Sequence, residues 1–464
     1  MRLSHSHPVV AASFDDPNLV SSAGLVPVMR LAARAGLAEL ADEHLTVPTD
    51  KGSNPGGKVS ALVGGMVAGA DSIDDMALLR HGGMGRLFTG LYAPSTLGSF
   101  LRAFSFGHVR QLDAVASRFL TGLAVSSPLL EGVEGTVFVD VDDTIIEVHG
   151  YAKQGAGFGY SGVRGLNALL ATITTATTAP IIAAQRLRAG RANSARGARR
   201  LVRDALATLT RLRSTAATGL VLVRADSAFY GHAAVNAALA AGAQVSVTVR
   251  MDPKVKAAIA SIAGNAWTTI NYTNAVYDPD TGRWVSIAEV AEVPFTAFSS
   301  RKASEQVTGR LVVRRIPDLN PKAGTGQPTL FDTWRFHAFF TTSELDTVTA
   351  DATHRAHAII EQVNADLKNS ALAHLPSGKF AANAAWLVCA VMAFNLTRAA
   401  ATIAGGRLRR ATTATVRRTL VTVPARIARS ARRTHLHLPA AWPWRDAWTT
   451  LFDHRHGPPA AVTT

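Results

Sequence analysis

A single cysteine, Cys389, occurs in the 464 residues. Its solitude excludes a disulfide framework and any zinc site built on several thiolates. Acids are scarce as well: 33 Asp and Glu stand against 48 Lys and Arg, a net charge of +15. Not one acid falls between Leu367 and Arg445, and nine arginines crowd Arg407 to Arg433 within that stretch. A chain this basic expects a polyanion, most often nucleic acid, because neutralising phosphates releases counterions. Lysine is rare too, 9 against 39 Arg, but abundant alanine beside it marks GC-rich coding, so the Arg preference says nothing about guanidinium chemistry. No clean membrane-spanning run is present. The most apolar stretch, Phe380 to Leu396, is interrupted by Asn383 and Asn395 and reads as a buried helix holding Cys389 as a small core residue. The polar N-terminus lacks the apolar core of a signal peptide. These absences predict a soluble, cytoplasmic protein with no membrane partner, and 47% hydrophobic residues suffice to fill a core.

What is present changes character along the chain. Residues 1–19 read as a flexible N-terminus. Apolar positions at three- and four-residue spacing, in Leu25, Val28, Met29, Leu31 and again from Val59 to Val67, predict a helical domain over 20–130 that is able to bind DNA. A Gly/Pro-rich break at 51–58 divides it, and Ser95 reads as an N-cap. From Thr136 the pattern becomes β: a strand through Val141, a second from Ile145 to Val148, a Gly-rich stretch from Gly150 to Gly165, and a third strand near Leu169 to Thr175. A basic helix from Ser194 to Arg213, a strand ending near Asp226, a helix from His232 and a strand from Gln244 complete an α/β segment over 131–250. Residues 251–350 alternate short strands such as Gly309 to Ile316 and Trp334 to Phe340 with turn clusters such as 278–282, and read as a β-rich insertion. A long helix from Asp351 to Lys368 resumes the α/β part over 351–400, and 401–464 forms a basic C-terminal region.

Three acidic positions sit at the ends or middle of regular elements. They are the run Asp140-Val141-Asp142-Asp143-Thr144, Asp226 after Arg224-Ala225, and Glu361. Hard divalent cations take oxygen ligands, and two such ions can activate an attacking oxygen and stabilise the leaving one. Asp140 and Asp142 share a strand face at period two, whereas Asp143 faces the other way. His354, His357, Glu361 and Lys368 fall on one helical face, with Ile360, Val363 and Leu367 turned to the core.

These residues bring the chain to a resemblance. Asp71-Ser-Ile-Asp-Asp-Met-Ala-Leu-Leu-Arg80, Ala93-Pro-Ser-Thr-Leu97, Val139-Asp-Val-Asp-Asp-Thr144, the Gly155 to Gly165 stretch and Arg224-Ala-Asp-Ser-Ala-Phe229 resemble, in order, motifs of the bacterial insertion-sequence DDE transposases of the transposase DDE domain group 1 family. Glu361 and Lys368 match a Tyr-x2-Arg-x3-Glu-x6-Lys signature of related transposases, with His354 and His357 standing where Tyr and Arg would. The resemblance runs from about residue 20 to about residue 450. It implies an α/β RNase H-like catalytic core with a β-rich insertion, between an all-helical N-terminal domain and a basic C-terminal region. The wide spacings, 84 residues from Asp142 to Asp226 and 135 from Asp226 to Glu361, leave room for such an insertion.

The implied activity is metal-dependent DNA cleavage and strand transfer of an insertion sequence. Asp142, Asp226 and Glu361 would be the catalytic metal ligands for two Mg²⁺ (or Mn²⁺), with Asp140 kept as a further catalytic candidate. Lys368, His354 and His357 would meet phosphates, and Arg407, Arg409, Arg410, Arg417 and Arg418 would hold DNA. Trp267, Trp284 or Trp334 would stack on a base, with Trp334 taken forward. The implied partners are terminal inverted repeats, target DNA and a second copy in a DNA-bound homodimer, in a bacterial, nucleoid-associated setting. Two alternatives accompany this reading. Asp140 with Asp142 also resembles the nucleophile motif of haloacid-dehalogenase-type phosphohydrolases, although Arg224-Ala-Asp226 lacks the second acid that class requires. An inactive, DNA-binding transposase derivative is the other.

Overall fold

A computed structural model of the chain describes residues 11–48, 50–278, 283–317, 334–430 and 433–454, with 271–276, 278, 283–286 and 317 described as backbone only. Residues 1–10 of the expected N-terminal tail, 279–282 of the turn cluster and the Trp284 side chain lie outside the described set.

A two-residue strand β1 (Leu19–Val20) precedes α1 (Leu25–Arg34), α2 (Leu37–His44), α3 (Pro55–Ala68), α4 (Met84–Leu87), α5 (Pro94–Arg102) and α6 (Phe106–Ser126). The Gly/Pro break is shorter than the sequence predicts, because Pro55 itself opens α3. Proline suits a first turn, where its missing N–H is not needed. The same device opens α5 at Pro94, so Ser95 lies inside the first turn and not at the cap. Ser105 does cap α6, in a reciprocal box with His108.

The strands β2 (Val137–Glu147), β3 (Gly157–Phe158), β4 (Arg164–Thr175) and β5 (Ile181–Ala189) come next, then α7 (Ala198–Leu212), β6 (Val221–Ala225), α8 (His232–Leu239) and β7 (Gln244–Thr248). The two strands expected between Val137 and Val148 are one continuous strand, because β4 pairs with it from Val137↔Thr175 to Glu147↔Gly165 and carries it straight through the acidic run. β5 went unforeseen. The order β5-β4-β2-β6-β7, antiparallel across the first three and parallel from β2 through β6 to β7, is that of an RNase H-like core.

After α9 (Pro253–Ala260), the strands β8 (Thr268–Asp278), β9 (Arg283–Ala297), β10 (Val307–Pro317) and β11 (Trp334–Thr341) form the β-rich stretch. They do not close on themselves. β11 pairs with β7, so among the described residues ten strands make one mixed sheet. The expected long helix is two, α10 (Thr347–Arg355) and α11 (Ile359–Lys368), joined by a tight 3₁₀ turn at Ala356–Ala358. That turn puts His354 out of line with Glu361 and Lys368, so the four residues do not share one face.

The core gathers around α12 (Phe380–Ala404). Every residue from Ala382 to Ile403 is buried, Cys389 among them. This helix is long and apolar enough to cross a membrane, yet α1, α3, α5, α6 and β5 pack against it, so its circumference is spent on protein. The N-terminal helices therefore share one continuous core with the α/β part and do not enclose one of their own. The chain ends in α13 (Thr413–Val416), the hairpin β12 (Ala425–Ser430) and β13 (Arg433–His437), and α14 (Arg445–Asp453). β12 pairs with β1, tying the basic C-terminal region to the start of the described chain.

Candidate active site

The parallel pairing of β2 with β6 ends at Val141↔Ala225. Asp226 and Asp142 are each the next residue along. Asp226 leaves the carboxyl end of β6, where open α/β sheets bind their ligands, and Asp142 lies beside it midway along β2, which runs on paired with β4. Asp226 turns into a 3₁₀ turn and caps it, one carboxylate oxygen accepting from Ala228 N at 2.9 Å. Asp226 thus both caps the turn and lines the cleft that opens here. A cleft of about 1300 Å³ opens here, lined by Asp142, Asp143 and Asp226 with Arg191, Arg250 and Lys368.

Period two on β2 separates its acids. Val141 shares an apolar space with Ala198 and Val202 of α7, while Asp140 and Asp142 face α10 and α11. Asp140 is fully buried. Its two oxygens accept from Arg224 Nε at 2.6 Å and Nη2 at 2.8 Å, and Arg224 also donates to Thr353 O and lies over the Phe138 ring. Burial pushes the Asp140 carboxyl up and the guanidinium opposes that. Asp140 is a structural anion, and the catalytic place expected of it is corrected on that ground. Asp143 is committed on the opposite face, accepting from Arg188, from Asn167 Nδ2 at 2.9 Å and from Ser194 Oγ at 3.3 Å.

Among the described residues no cation pairs with Asp142 in this way. Burial pushes its carboxyl up to about 7, and the charges of Asp226, Asp143 and Glu361 add to the rise. Asp226 is raised too, by burial and then by Asp143, with His357 working against both. Glu361 stands exposed at the start of α11, close enough for its charge to act on Asp142. Asp142 and Asp226 line the cleft and Glu361 acts on Asp142 from beside it. Among the described residues no group of three His, Cys, Asp or Glu side chains is drawn to metal-ligand spacing, so the three carboxylates do not converge on a point. Their chemistry still fits a divalent cation: an all-oxygen donor set whose mutual repulsion a hard cation would relieve.

One participant was missed in the sequence. Asn364 Nδ2 donates to Asp142 Oδ2 at 2.7 Å, and its own Oδ1 is buried without a hydrogen-bond partner. Its signal was position alone, one helical turn after Glu361.

The expected DNA contacts divide. Lys368 is exposed on the cleft wall, and Arg407, Arg409, Arg410 and Arg418 are exposed, while Arg417 is half-buried against Gly69. His354 is not available to phosphate. It is buried between Ser246 Oγ (2.8 Å) and Thr248 Oγ1 (3.0 Å), stacks on Phe339 at 4.0 Å, and is held neutral by burial and by the cations around it. Half-buried His357 bonds to His354 O and lies near Asp226. Trp334 and Trp267 both lie on the Arg315 guanidinium, at 4.3 and 4.1 Å, and Arg315 Nε donates to Glu289 at 2.5 Å. Neither tryptophan lines the cleft, and the base contact expected of Trp334 competes with its hold on Arg315.

No curated protein matches the chain. A family model described as transposase DDE domain group 1 matches residues 3–455, nearly all of it.

Proposed function

The chain belongs to the transposase DDE domain group 1 family and is thus an enzyme that cuts DNA and transfers strands; on that premise we propose that Asp142, Asp226 and Glu361 are its catalytic carboxylates. The family is generally dependent on divalent metal. Here Asp142, Asp226 and Glu361 would hold two Mg²⁺ or Mn²⁺ ions. Bound ions supply Lewis-acid activation of the attacking oxygen and charge stabilisation at the leaving one.

The chain's own residues do the positioning. Asn364 orients the Asp142 carboxylate. The Ala228 amide fixes Asp226. Lys368, Arg191 and Arg250 line the cleft, where they would meet phosphates flanking the scissile bond. The exposed arginines from Arg407 to Arg418 and the N-terminal helices would hold the terminal inverted repeats and flanking DNA, in a homodimer that pairs two ends. The carrying observation is that Asp142 and Asp226 lie side by side and, among the described residues, no ion pair neutralises Asp142, while Asp140 and Asp143 on the same strand are paired with Arg224 and Arg188.

The phosphohydrolase alternative would need Asp140 as nucleophile, and both its oxygens are held by Arg224. The test uses inverted repeats found flanking the reading frame. Asp226→Asn is expected to abolish Mg²⁺-dependent cleavage of such an oligonucleotide while DNA binding persists. Undiminished cleavage by that variant would sink the assignment, and absence of cleavage by the natural protein would favour an inactive derivative.

A further inference from the structure

Six large aromatic side chains are exposed among the described residues, and three of them, Tyr151, Phe158 and Tyr160, fall within ten positions. Tyr160 is 110% exposed and Phe158 67%. Aromatic rings normally bury their area, so a cluster left in solvent marks a contact surface.

The backbone here is built to hold them there. β3 and β4 form a hairpin with Gly157↔Gly165 and Phe158↔Arg164 opposite each other. Gly162 N donates to Gly159 O at 3.1 Å, Val163 N to Ser161 Oγ at 3.3 Å, and Gly162 takes φ +70°. Gly159 is pressed so closely on β5's end that a Cβ would sit 2.5 Å from Gly190 O. Tyr160 is thus set at the hairpin tip by the turn around it, held by one main-chain bond and one to the Ser161 hydroxyl, and not by packing of its own ring.

Phe158 and Tyr160 line the same cleft as Asp142, Asp226, Arg250 and Lys368. The cleft therefore offers carboxylates for a cation, cations for phosphate and ring faces with no partner. The ligand that uses all three is a nucleic-acid strand with an unpaired base, since a paired base presents only its edge to a groove. The geometry points to Tyr160 and Phe158 as a base-stacking platform at the mouth of the active site, holding an unpaired base beside the scissile phosphate. This rests on the cleft being the phosphodiester site. It moves the stacking role from the insertion tryptophans, which are engaged with Arg315, to the hairpin.

A fluorescent single-stranded oligonucleotide carrying 2-aminopurine, titrated into the Asp226→Asn protein, reads the platform without cleavage. Stacking should quench the probe. Tyr160→Ala with Phe158→Ala should lose that quenching and bind about tenfold more weakly, whereas Tyr160→Phe should keep both. The rings touch little, so the melting temperature should not move, which separates the effect from misfolding. Undiminished quenching in the double alanine variant would overturn the platform. A natural protein that cleaves the inverted repeat while its Asp226→Asn form cleaves equally well would instead overturn the underlying site.

Discussion

Asp140 and Asp142 lie two residues apart on one strand, face the same helices, and have opposite fates. Asp140 is sealed against Arg224, which also reaches Thr353 O ahead of α11. Asp142 meets the side-chain amide of Asn364, the backbone amide of Asp143 and three further negative charges. A basic protein with an arginine beside most of its buried acids has left this one without. The contrast teaches that the site is marked by the missing counter-charge and not by acidity as such.

The comparison breaks most visibly when each acid is neutralised in turn. Asp142→Asn should cost at least about a thousandfold in cleavage rate, about 4 kcal/mol of barrier, and leave the fold intact or slightly more stable in metal-free buffer. Asp140→Asn should do the reverse, leaving a buried guanidinium unpaired and costing about 3–5 kcal/mol of stability, read by urea unfolding. If both variants fold equally well and both lose cleavage, the division of labour is wrong.

A smaller effect sharpens the Asp142 side. Asn364→Ala should lower cleavage by about 10- to 100-fold, as removal of an outer-shell partner does, with weaker Mg²⁺-induced stabilisation. Asn364→Asp should restore part of neither, because it adds one more negative charge. Equal Mg²⁺ response in Asn364→Ala and the natural protein would remove Asn364 from the site.

The smallest effect lies on the Asp140 side, at His354. Its folded form stays neutral well below the usual histidine range, whereas the unfolded form takes up a proton below about pH 6.5. Protons bound only by the unfolded state favour unfolding, so this stability is complete above that pH and is lost on acidification. The expected slope is about 1.4 kcal/mol per pH unit below it. The raised Asp142 carboxyl works in the opposite sense over the same range. The slope is therefore read as the difference in urea-unfolding free energy between the natural protein and His354→Gln from pH 7 to 5.5, which should shrink on acidification. A difference that does not change with pH would remove His354 from this role.

Much of this was legible in the chain. Val139-Asp-Val-Asp-Asp-Thr144, Arg224-Ala-Asp226 and Glu361 located the elements that meet at the cleft, because strand alternation and strand ends are local properties. The pairing of Asp140 was not legible, since Arg224 lies 84 residues away and only the β2–β6 register sets it opposite. His354 looked like a phosphate contact because a continuous helix was assumed, and the 3₁₀ turn at Ala356–Ala358 turned it toward Ser246 and Thr248. β5 and the junction of β11 with β7 escaped for a similar reason. A strand is recognised locally, but its neighbour is chosen by the whole sheet.

That last junction has a mechanical side. Phe339↔Thr248, Phe340↔Val247 and Thr341↔Ser246 bind the β-rich stretch to β7, and through it to β6 and β2, in one ladder. A stretch joined by a loop could swing down on its substrate like a jaw. One joined by a ladder behaves as the extended plate of an anvil, and swinging it would mean tearing hydrogen bonds. On the proposed reading of the cleft, the work of fitting would fall on the DNA, whose bending and local opening would help decide which sequences are cut.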